Sequence, residues 1–162
     1  MKSDDNDPIQ LAVAAHNLAE VKRLLARGHN ADIPDREGRT SLFYAVMDGE
    51  VGIVAQLLRN GAEVNAQDKA GKSPLHFAAI HFQPEAARLL IANGADIDIQ
   101  DVHGKAPLSD AIYGSTRKGN DVIKLLLASG ADMNRKNKHG ISPESLARSI
   151  VGFDVSPFDE LK

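Results

Sequence analysis

Apolar residues come in short helical clusters divided by polar, glycine-bearing turns, and the clusters arrive in pairs. Ile9-Gln10-Leu11-Ala12 is answered by Val21 to Leu25, Leu42 to Ala45 by Leu57-Leu58, and Leu75 to Ala79 by Leu89-Leu90. Each cluster is too short for a stable isolated helix, so the pattern predicts helix pairs that hold one another. The stretch from Asp68 to Gln100 shows the punctuation most fully. Ser73 is a candidate N-cap, Pro74 fits the first helical position where its missing N–H costs nothing, and Gly94 suits the left-handed residue that closes a helix.

The punctuation repeats. Helix-closing glycines at Gly28, Gly61, Gly94 and Gly130 and turn glycines at Gly38, Gly71, Gly104 and Gly140 both recur at 33, 33 and 36 residues. Two independent marker sets therefore give one period, with a three-residue insertion in one unit. The segment Ser73-Pro74-Leu75-His76-Phe77-Ala78-Ala79, followed by Leu89-Leu90-Ile91-Ala92-Asn93-Gly94-Ala95-Asp96, resembles the ankyrin repeat, and the resemblance covers roughly residues 7 to 148. It implies an all-α solenoid of stacked helix-turn-helix units joined by hairpin-like loops. A single domain, 1–162, is expected, with repeats near 7–34, 35–67, 68–100, 101–136 and 137–150, an acidic start and a tail from 151.

Departures from the pattern locate the points of interest. His16 stands where the family usually has glycine, and Ser41 and Phe43 replace the usual proline and histidine of the second repeat. Beside Phe43, Tyr44 either leans to a second, partly exposed surface or packs with it between helices. Ile80-His81-Phe82-Gln83-Pro84 fills an inter-helix turn normally made by Gly-His. An aromatic resists positive φ, so that turn is expected to be rebuilt, with Pro84 restarting the second helix. Phe82 is left either to tuck under the next repeat's longer loop or to anchor a partner. The insertion Tyr113 to Asn120 reads as an exposed loop that reaches a partner or is merely tolerated. Glu144 takes a leucine position, which suits a terminal cap, and Phe153, Phe158 and Leu161 favour docking of the tail.

Composition narrows the function. Of 162 residues 43% are hydrophobic but only 4% aromatic, with no Trp, so the core is built from Ala, Leu, Ile and Val. The net charge of −3 argues against a general nucleic-acid binder. No cysteine is present, which excludes disulfides and thiolate chemistry. Asp4, Asp5 and Asp7 stand where a secretory leader needs basic and apolar residues, and no apolar run reaches membrane-spanning length. A cytoplasmic protein, monomeric when free, is expected.

Catalytic constellations are missing. There is no phosphate loop, nucleophile elbow or paired-histidine zinc motif. The resemblance makes His76 a structural imidazole that bonds turn backbone. His103 and His139 hold equivalent turn tips, but no carboxylate at ligand spacing makes them a metal site. No cofactor is expected and an enzyme is the last reading.

In the ankyrin family the turn tips and inner helices line a concave binding face. The matching tip residues are Arg36, Glu37 and Arg39; Lys69 and Lys72; His103 and Lys105; Lys138 and His139. Six Lys or Arg against one Glu make a basic stripe, partly compensated by Asp35, Asp68 and Asp101. Tyr44, Met47, Asp48, Ile80, His81, Phe82 and Tyr113 are the matching inner-helix contacts, and Asp110, among apolar counterparts, serves recognition or a structural hydrogen bond. The expected partner is a protein with an acidic surface. A stoichiometric inhibitor, such as an immunity protein against a toxin, is the sharper expectation; a scaffold is second and a nucleic-acid binder third.

Overall fold

A computed structural model describes residues 7–114, 120–150 and 152–160. Ten helices lie among them: α1 Pro8–Ala14, α2 Leu18–Ala26, α3 Ser41–Met47, α4 Val51–Arg59, α5 Pro74–Ile80, α6 Pro84–Ala92, α7 Pro107–Gly114, α8 Asn120–Ala128, α9 Pro143–Ser149 and α10 Ser156–Asp159. No strand occurs among the described residues. The odd-numbered helices form one row, α1 against α3, α3 against α5, α5 against α7 and α7 against α9, and the even-numbered helices α2 to α10 form a second.

The two rows bury a continuous aliphatic seam. Leu24, Leu57, Leu90 and Leu126 occupy one column, and the last three are fully buried. Phe43 is fully buried too and meets Phe77 edge to face at 5.5 Å. At the two ends the seam turns polar. Glu20 stands where inner repeats carry Ile53, Ala86 and Val122, and pairs with Arg23. Glu144 stands in the column of Leu75 and Leu108 and pairs with Arg148 at 3.1 Å, and Arg148 also reaches Asp159 on α10. The tail docks: Phe158 is fully buried against the α8 end of the stack, 6.4 Å from the ring of Phe153. The expectations that concern Asp4, Asp5, Leu161 and the inserted loop at 115–119 lie outside the described residues.

The third inter-helix turn is not rebuilt. Phe82 takes φ +53°, in line with Gly49 at +70° and His16 at +51°, each 33 residues apart. The register outweighs the local cost of a left-handed side chain, about 1–3 kcal/mol, because Gln83 N–H bonds to Ala78 and Pro84 opens α6 on schedule. At the tip of the third repeat glycine is required by closeness as well as by φ: a Cβ on Gly71 would meet the Val102 nitrogen at 2.9 Å.

One helix start is under-satisfied. In the third repeat His76 closes it, Nδ1 accepting the Ser73 N–H at 3.0 Å. Phe43 cannot do this in the second repeat, and Thr40 Oγ1 and Ser41 Oγ are buried without a hydrogen-bond partner. Ser41 holds the position of Pro8, Pro74, Pro107 and Pro143, and Thr40 is already extended at φ −91°, ψ 174°, which suits a following proline. Ser41→Pro should therefore stabilise the chain by about 1–2 kcal/mol, by removing a buried unpaired hydroxyl and stiffening the unfolded chain. Urea denaturation followed by circular dichroism checks this, and a lower midpoint would count against it.

Candidate functional site

The turn tips are assembled from the inside. In each turn one side-chain oxygen accepts two backbone N–H groups: Asp35 from Glu37 and Arg39 (2.8 and 2.9 Å), Asp68 from Ala70 and Lys72 (both 2.9 Å), Asp101 from His103 and Lys105 (2.8 and 2.9 Å). Asn137 does the same for His139 and Ile141 (2.8 and 3.1 Å). Adjacent turns are then joined, Lys69 N–H to Glu37 O, Val102 N–H to Ala70 O and Lys138 N–H to His103 O, at 2.9–3.0 Å. The tips thus form one hydrogen-bonded edge. From it the side chains of Arg36, Glu37, Lys69, His103, Lys138 and His139 project into solvent.

The cations that follow the turn glycines behave differently. Arg39 Nε lies 3.3 Å from Asp68 of the next repeat, and its guanidinium covers the Phe77 ring at 4.8 Å. Lys72 Nζ lies 3.2 Å from Asp101 and also pairs with Asp110, whose residue is only 7% exposed. Asp110 is therefore held in an interior ion pair, the structural one of the two roles its sequence position allows. In the column of Asp68 and Asp101 the next repeat carries the uncharged Asn137, and the Lys105 ammonium sits 4.5 Å over the ring of Tyr113. Of the basic tip residues, Arg39 and Lys72 hold the repeats together. The outward positive charge belongs to Lys69 and Lys138.

Along the first-helix row, Tyr44, Met47, Ile80 and Phe82 are half-buried, while Asp48, His81 and Tyr113 are exposed. His81 stacks on Phe77 at 6.2 Å. Phe82 rests against the end of α7, where a Cβ on Gly114 would come within 2.8 Å of its ring. The Tyr44 hydroxyl donates to Asp35 Oδ2. Burial, then the Asp35 carboxylate, pushes the Tyr44 phenol up to about 12. Burial alone would raise the Asp35 carboxyl, but the Tyr44 hydroxyl and the Arg39 and Glu37 amides outweigh it and hold the group below its ordinary value. At Asp101 burial is likewise outweighed, by the Lys105 and His103 amides and by Lys72.

One stitch was expected from the resemblance and a second was not visible in the sequence. His76 Nε2 donates to the Lys105 carbonyl at 2.9 Å, and Gln10 Nε2 reaches the equivalent Arg39 carbonyl at 3.3 Å and Ile33 O at 2.8 Å. Both side chains occupy one repeat column, so an alignment of the column would have exposed Gln10 as a substitute for histidine. Because Nδ1 accepts from Ser73, the His76 imidazole must be neutral, and its burial pushes its pKa below 6.5, against the opposing pull of the Lys105 carbonyl. The unfolded chain thus binds a proton that the fold rejects. The His76 contribution to stability is complete above pH about 6.5 and is lost as pH falls below it. His76→Gln, which keeps the donor to Lys105 O, should flatten the wild-type loss of stability as pH falls below about 6.5; identical pH profiles would contradict this.

Among the described residues no group of three or more His, Asp or Glu could hold a metal ion, and no helix is long and apolar enough to cross a membrane. A family model described as ankyrin repeats (3 copies) matches residues 1–68 and again 50–137. The chain belongs to the ankyrin-repeat family. No curated protein matches it in a sequence comparison. Ankyrin repeats are protein–protein interaction modules and generally non-enzymatic, and the paired helix rows and joined tips of this ankyrin-repeat chain have that form.

Proposed function

We propose that this ankyrin-repeat chain binds a partner protein of acidic surface across its joined turn tips and the adjoining ends of the first-helix row. The observation that carries the reading is the sorting of charge at the tips. Arg39 and Lys72 are neutralised inside the stack, whereas Lys69 and Lys138 repeat the same sign outward from equivalent positions. Tyr44, Met47, Ile80, His81, Phe82 and Tyr113 offer the flanking apolar surface, with Asp48 between them. Phe82 is held in place by Gly114 and keeps part of its ring free to act as an anchor. A stable interface needs about 800 Å² per partner, which several consecutive tips supply.

A protein bound across the tips has part of its own surface covered. This favours a stoichiometric inhibitor, with an immunity protein that blocks a toxic enzyme as the sharpest form of the reading. The cytoplasm is its expected setting. A scaffold is distinguished by simultaneous binding of two ligands. The test is capture from the native source with three baits: wild type, Lys69→Glu/Lys138→Glu, and Arg88→Glu on the second-helix row. The reading expects a one-to-one protein partner retained by wild type and Arg88→Glu and lost by the tip variant. Equal recovery by all three baits would overturn it.

A further inference from the structure

The acidic column of the turns is not uniform. Asp35, Asp68 and Asp101 all commit Oδ1 to their own turn, but the second oxygen of Asp68 takes Arg39 and that of Asp101 takes Lys72, each from the preceding repeat, at 3.3 and 3.2 Å. The residue 33 positions before Arg39 is Asn6, which carries no charge. Among the described residues no cation lies within ion-pair distance of Asp35, and its Oδ2 accepts the Tyr44 hydroxyl. Arg39 is near enough to bias the carboxyl, yet its own Nε is held by Asp68.

Beside this pair the surface opens into a groove of about 270 Å³ lined by Gln10, Leu11, Ala14, Asp35 and Tyr44. Gln10 has its amide N–H groups turned to Ile33 and Arg39 carbonyls, so it does not compete for the carboxylate as a donor. Leu11 is 53% exposed, the most exposed large apolar side chain described. An apolar wall that ends at a carboxylate matches a side chain with an aliphatic stem and a cationic head. We infer that the groove receives a lysine or arginine side chain of the bound protein, its stem along Leu11 and Ala14 and its head on Asp35 Oδ2 beside Tyr44. The bound protein thereby supplies in trans the cation that Arg39 and Lys72 supply in cis to the next two turns. The inference rests on the reading of the chain as a protein-binding module and adds one basic residue to an otherwise acidic contact surface. The phenol of Tyr44, held protonated by its raised pKa, keeps its hydrogen bond to Asp35 throughout the physiological range.

The probe is Nα-acetyl-arginine methylamide, titrated into the full chain and followed by amide chemical shifts, with Nα-acetyl-norleucine methylamide as the uncharged comparison. The expected result is saturable shifts confined to Gln10, Leu11, Ala14, Asp35 and Tyr44 with the arginine derivative alone. Asp35→Asn should weaken them at least tenfold. That variant keeps the turn, because Asn137 caps the last turn by the same two bonds. No shifts, equal shifts with norleucine, or unchanged affinity in Asp35→Asn would overturn the inference. So would tighter binding in Lys2→Gln, which would make the chain's own lysine the occupant. If the tip variant loses its captured protein while the titration fails, the interaction reading stands and this inference falls.

Discussion

Lys72→Met is expected to lower the stability of the chain by about 3–5 kcal/mol, although the residue lies at a turn on the surface edge. Its ammonium is wedged between Asp101, 3.2 Å away, and Asp110, whose side chains are 1% and 8% exposed. Removing the cation leaves two buried carboxylates without a counter-charge, both across the repeat boundary from residue 72. The penalty arises from the charges left behind more than from the pair itself, so Lys72→Met/Asp110→Leu should recover part of the loss. Leucine is suited to that site, since Leu11 and Leu146 stand in the same column. Lys69→Met, three residues away but exposed, should change stability by less than about 0.5 kcal/mol. Urea midpoints of the four proteins check the set; equal effects at Lys69 and Lys72 would contradict the interior role.

Leu90→Ala should cost about 2–5 kcal/mol. Leu90 is fully buried on α6, with α4 on one side and α8 on the other, and neither neighbour can close a cavity without shifting its own leucine column. In a linear stack, stability is a sum of repeat and nearest-neighbour terms, so a central cavity weakens two boundaries at once. Leu24→Ala, in the first repeat, weakens one and should cost less; Leu24 is already 5% exposed. A marginal total of about 5–15 kcal/mol makes the Leu90 effect a large share of the whole. The reverse order of the two variants in urea denaturation would argue against a nearest-neighbour account.

These energetics explain what could be read from the sequence. The glycine and proline register was legible because each marker has a single backbone cause that recurs every 33 residues, and the seam followed from the leucine columns. The Phe82 turn was misread because a local preference against positive φ was weighed without the cooperative register that overrides it. The tips were legible as positions but not as charges. Which cation faces outward depends on the acid of the next repeat, 29 residues on, so Arg39 and Lys72 looked like Lys69 until the repeats were stacked. The Gln10 stitch and the groove beside Tyr44 depend on contacts between units, which no single repeat encodes.

The central claim is that the outward lysines of the joined tips meet an acidic partner. Its most direct measurement is the affinity of the captured partner for wild type and for Lys69→Glu/Lys138→Glu at low and high salt. The account predicts binding weaker by about tenfold or more at low salt, with a flatter dependence on salt concentration. Equal affinity at low salt for the two proteins would contradict it.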